Sequence, residues 1–154
     1  MVASSYLYAT AHAGFAPALL GACSAAGASF YLTLVNASYV PVEGHSYMSN
    51  VSGFELSSAS HTGGYNGTIR VSMTGRTVFS NTTSHQAEFR ASAVSYVGLS
   101  AGTAVAYIIV KQAGSDGVSP LVAYCSLGGF PVLTNNGNVT VSFVASGVFQ
   151  LTDA

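Results

Sequence analysis

The chain is expected to fold as an all-β domain, a sandwich or jelly-roll-like arrangement with a short or broken N-terminal helix. Three observations lead there. Residues 104–152 hold four apolar runs alternating with turn-forming clusters. Short stretches of period-2 alternation recur from residue 29 onward, and Gly, Asn and Ser punctuate them at short intervals. Many short strands with frequent turns suit a layered β architecture. No repeat of fixed period is visible and no linker splits the 154 residues, so a single domain is expected, with 1–28 as an N-terminal arm or helix and 29–154 as the β core.

Residues 6–22 are the one helical candidate. Tyr6, Leu7, Thr10, Phe15 and Leu19 roughly share a face and the alanines favour a helix, while Gly14 and Pro17 interrupt it. Phe30 to Val35 is rich in aromatic and β-branched residues and reads as a strand. Residues 36–64 read as loop, with short strands near His45 to Met48 and Gly53 to Leu56. From Thr68, period-2 alternation sets Ile69, Val71 and Met73 on one face, Gly75 turns the chain, and Thr77 to Phe79 continues the pairing. Ala87 to Val97 alternates again around a central bend.

Ala104 to Lys111 is the most hydrophobic run and is expected to be a strand buried on both faces. Asp116-Gly117 is a turn pair, Leu121 to Ser126 another strand, and Gly128-Gly129 a turn. Asn135-Asn136-Gly137 has the composition of a hairpin turn, because Asn and Gly tolerate positive φ. Val139, Val141 and Phe143 then share a face, and Val148, Phe149 and Leu151 close the sheet.

Charged residues are only 6 % of the chain, against roughly 25 % in an average soluble protein. Four basic and five acidic side chains cannot cover a surface, so Ser, Thr, Asn, Gly and Tyr must do so. Such an exterior belongs either to a stable fold with a neutral, hydroxyl-rich surface or to a subunit that meets other subunits over much of its area. Arg70, Arg76, Arg90 and Lys111 are scattered, which argues against nucleic-acid binding. No Lys or Arg precedes Arg70, so the apolar N-terminal stretch lacks the basic flank of a signal peptide, and Pro17 and the glycines leave it too broken to span a bilayer. The expectation is a protein made inside the cell, neither secreted nor membrane-bound.

The motifs of catalysis are missing from the sequence. His12, His45, His61 and His85 fall at no metal-ligand spacing, and they read as polar loop histidines. Glu43, Glu55, Glu88, Asp116 and Asp153 carry no local mark of a facing acid pair. There is neither a nucleophile elbow nor a phosphate-binding glycine loop. Neither an enzymatic activity nor a cofactor is expected. Cys23 and Cys125 are either two isolated thiols or, if the fold brings them together, a disulfide. Nine tyrosines without a tryptophan suggest a contact role. Tyr39, Tyr47 and Tyr65, all in the loop-rich half, are the candidate patch for a carbohydrate or protein, with packing at the rim of the β core as the alternative.

The segments AVAYIIVKQAGSDGVSPLVAYCSLGGFPV and NNGNVTVSFVASGVFQLT resemble a group of small tailed-bacteriophage virion proteins. The matching residues are Tyr107 to Lys111, Ser119 to Tyr124, Gly128-Gly129, Asn138 to Phe143 and Phe149 to Leu151. Upstream, FYLTLVNASYVPVEGHSYMSNVSGFELSSASHTGGYN resembles the group's first strand, its Tyr-containing loop and its SGFE-to-GGY segment, so the likeness covers residues 29–152. Where the group carries Asp and Glu in its loops, this chain has mostly Ser, Asn or Ala. The resemblance implies a virion structural component. Within that class it favours a head decoration (cement) protein, a homotrimer seated on the major capsid protein. The alternatives are a neck, tail or fibre-associated part, or a surface carbohydrate-binding module.

Overall fold

The computed structural model describes residues 5–7, 29–56, 70–81, 86–144 and 148–152. Eleven strands lie in these segments: β1 (Ser5–Leu7), β2 (Phe30–Asn36), β3 (Arg70–Ser72), β4 (Thr77–Asn81), β5 (Gln86–Arg90), β6 (Val94–Tyr96), β7 (Gly102–Lys111), β8 (Leu121–Cys125), β9 (Val132–Thr134), β10 (Val139–Val141) and β11 (Phe149–Thr152). The fold is all-β, as the sequence leads one to expect.

The main sheet runs β1-β8-β7-β2-β3, and β9 pairs with the start of β7. Ala104 pairs with both Asn36 and Val132, so β9 lies along the edge of β7 that continues into β8, opposite β2. Two smaller sheets, β11-β5-β4 and β10-β6, complete the set, and every pairing is antiparallel.

β7 is the axis of the molecule. From Ala104 to Val110 every one of its residues is buried, which is the pattern of a strand covered on both faces. Tyr107 and Ile109 join one core cluster, and Ile108 and Val110 join the other. On the first face, Phe30, Leu32 and Leu34 of β2 meet Phe89 of β5, Val94 and Tyr96 of β6 and Val141 of β10. The two small sheets thus lie over the main sheet as the second layer of a sandwich. Tyr96 is buried there and its hydroxyl donates to the Leu32 carbonyl at 2.7 Å, so the ring adds core volume without an unpaired polar atom.

Among the described residues, the other face is covered by the segment from 37 to 56. Tyr39, Met48 and Val51 from this segment pack on Val35, Ile108 and Leu121. It holds two 3-10 turns, Met48–Asn50 and Ser52–Phe54, where the sequence suggested short strands; the β contacts there are single bridges, Tyr47 to Pro120 and Glu55 to Val35. The Asn50 side chain explains the first turn, because its Oδ1 accepts from the backbone N–H of Ser46 and Tyr47 at 3.3 and 3.1 Å.

Three other expectations change. Tyr6 and Leu7 are not helical: they pair with Tyr124 and Ala123 on the open edge of β8, where ladder hydrogen bonds outweigh local helix preference. The rest of the N-terminal helix candidate, residues 8–22, lies outside the described residues. Asn136 does take a positive φ of 64°, but its turn joins no hairpin, since β9 pairs with β7 and β10 with β6. The expected bend within 87–97 proves to be a change of sheet, with β5 and β6 on separate sheets either side of residues 91–93. Gly75 turns the chain before β4 at φ +60°, a left-handed backbone conformation that favours glycine.

Candidate functional site

Of the candidate contact residues, Tyr39 is buried and Tyr47 is exposed. Tyr39 is only 4 % exposed: it packs against Phe54 and Tyr124, with ring centroids 5.4 and 6.2 Å away. Its hydroxyl meets His45 Nδ1 at 3.1 Å. Its place is in the core because the segment 37–56 has to cover β7 and β8, and a ring with one polar tip anchors that cover. Tyr47 is at the surface, 43 % exposed, bridged to Pro120. Tyr65 lies outside the described residues, as do His12, His61, His85 and Cys23.

A charge network built on Arg70 lies under the same cover. Thr33 and Arg70 are register partners on β2 and β3, on the face opposite Leu32 and Val71. Arg70 donates to both oxygens of Glu55, from Nε and Nη2 at 2.7 Å each, and to both oxygens of Asp116, at 2.6 and 2.9 Å. The Thr33 hydroxyl adds a bond to Glu55 at 2.6 Å. The Glu55 side chain is fully enclosed, and those of Arg70 and Asp116 nearly so. Burial alone would lower the arginine pKa. The hydrogen bonds and charges of Glu55 and Asp116 together outweigh it and hold the guanidinium protonated. Both carboxylates are engaged by one cation, so the network clamps two loops, 37–56 and 112–119, onto the edge of the main sheet. The signal for it was present: in an alternating strand of a charge-poor chain, Arg70 falls on the face away from Val71 and Met73, and an arginine on a covered face needs a carboxylate.

A cavity that could hold a ligand lies elsewhere among the described residues, between the turn after β8 and strand β10. Its volume is about 240 Å³. Tyr107 forms part of its wall, flanked by Phe130 and Phe143 with ring centroids 6.0 and 6.1 Å away. Gly128 and Gly129, at φ +73° and +107°, turn the chain along one side, and Cys125 is partly buried beside Tyr107 with its sulfur outside any disulfide. Burial first, then the neighbouring Cys125 thiol, pushes the pKa of Tyr107 well up, so the phenol is neutral. No charged side chain lines the cavity among the described residues. Leu127 and Val144 stand exposed at its mouth.

Among the described residues no three His, Cys, Asp or Glu side chains gather as metal ligands. Comparison with known proteins finds no matching family model, no similar curated protein and no similar solved structure.

Proposed function

We propose that this protein is a structural component of a tailed-bacteriophage particle, a capsid decoration (cement) protein that binds the outer shell across neighbouring major capsid subunits. The observation that carries the reading is how the chain distributes charge and apolar surface. Of only four basic and five acidic side chains, Glu55, Arg70 and Asp116 are enclosed in one internal network. Arg76 lies over the Phe30 ring, 5.1 Å from its centroid. The exterior meanwhile exposes large apolar side chains, with Leu133 at 82 % and Val40 and Val144 at 71 %. A free monomer ordinarily carries more surface charge and few such groups. An exterior of this kind suits a chain whose neighbours cover it.

The resemblance of residues 29–152 to small virion proteins supports this choice of assembly, and the homotrimeric state and the location on the virion are part of the same proposal. The protein then acts by binding and not by catalysis. Because it binds the assembled shell and not free subunits, it stabilises the shell by mass action. Quantitative protein staining of purified particles should give hundreds of copies each. A count of about a dozen would overturn the decoration role and favour a neck, tail or fibre position.

A further inference from the structure

We propose that the cavity between the β8–β9 turn and β10 is a socket for one uncharged aromatic side chain supplied by a partner polypeptide. Three features converge on that occupant. The first is size: about 240 Å³ exceeds the ~150 Å³ of an apolar cavity that admits benzene, so a ring with its linking methylene fits. The second is chemistry. Tyr107, Phe130 and Phe143 offer ring faces and edges to a fourth ring. With no charged side chain in the lining, a charged occupant would lose its hydration and gain no partner.

The third feature is the rim, and it identifies the source of the ring. Leu127 and Val144 at the mouth are 44 % and 71 % exposed. A small free molecule would fill the cavity and leave these side chains in water. A polypeptide carrying the ring covers them as it docks, which is the anatomy of an interface hot spot: a buried aromatic anchor inside a ring of contacts that exclude water. That the partner is a neighbouring subunit of the particle rests on the function proposed above; recognition of the ring does not.

The test uses the purified full-length chain and three soluble probes: N-acetyl-phenylalaninamide, N-acetyl-lysinamide and benzyl alcohol. Binding is followed by chemical-shift changes in the isotopically labelled protein. The phenylalanine probe should give saturable shifts at Tyr107, Phe130 and Phe143. The lysine probe should bind at least about tenfold more weakly, because nothing in the lining replaces the hydration of its ammonium. Ser142, an exposed residue at the cavity, provides a blocking variant: Ser142→Phe should weaken the phenylalanine probe at least about tenfold with an unchanged melting temperature. Leu127→Ala, at an exposed position that keeps the fold, should weaken it about threefold by removing part of the rim. Failure of the phenylalanine probe to saturate, equal binding of the lysine probe, or indifference to both substitutions would overturn the proposal. Benzyl alcohol binding as tightly as the phenylalanine probe, with no effect of Leu127→Ala, would overturn the polypeptide source. None of these outcomes alters the copy number per particle, so the socket and the decoration role fail separately.

Discussion

Arg70 shows how much of this molecule turns on single side chains. Its four hydrogen bonds reach Glu55 in one loop and Asp116 in another, and removing it leaves an enclosed carboxylate without its cation. Arg70→Met should therefore destabilise the fold by about 3–5 kcal/mol in urea titrations. Asp116→Asn, at the more open end of the network, should cost about 1 kcal/mol. A result in which the two variants are equally mild would mean the loops hold without the clamp. Tyr96 and Tyr107 make a second prediction. Burial raises the pKa of both phenols above the value in the unfolded chain; Glu55 adds to the effect at Tyr96 and Cys125 at Tyr107. With a folded-state pKa above the unfolded one, their contribution is complete below about pH 10 and is lost as the pH rises from there. The melting temperature should hold to about pH 10 and then fall, and Tyr96→Phe should make the alkaline fall shallower. The sequence showed Arg70 as a charge on an alternating strand and Asp116 as a turn residue. It could not show that they meet, because 46 positions separate them and only the fold closes that distance.

At the scale of elements, the readable parts were those with strong local pattern. β7 was legible because seven consecutive buried residues leave no polar alternation, and β2, β8 and β11 were legible from their β-branched and aromatic runs. The turn at Asn136 was legible for its backbone and not for its partners, since a positive φ fixes a local reversal while pairing depends on which edge is open. β1 was illegible for the same reason: Tyr6 and Leu7 take their conformation from β8, far along the chain. The burial of Tyr39 was illegible because nothing local distinguishes a tyrosine that covers a sheet from one that faces water. The double coverage of β7 has a direct consequence. Ile108→Ala and Ile109→Ala empty opposite faces, and each should cost about 2–5 kcal/mol by denaturant unfolding. A negligible loss at Ile108 would mean that the segment 37–56 does not form a true second core.

For the molecule as a whole, the decisive property was visible before any element was placed. A chain with 6 % charged residues has few charges to arrange, and the fold encloses three of them. What the sequence could not show was where the apolar surface would fall, because exposed and buried valines look alike in one dimension. Assembly through such a surface has a recognisable signature: salt screens charge interactions and leaves apolar contact intact. The most direct measurement adds purified protein to emptied, expanded shells stripped of it, at low and at high salt, and follows both binding and the temperature at which the shells break. Saturable binding to shells but not to free capsid subunits, little changed by salt and accompanied by a higher breaking temperature, is the expected result. Absence of binding, or binding that leaves the breaking temperature where it was, would contradict the account.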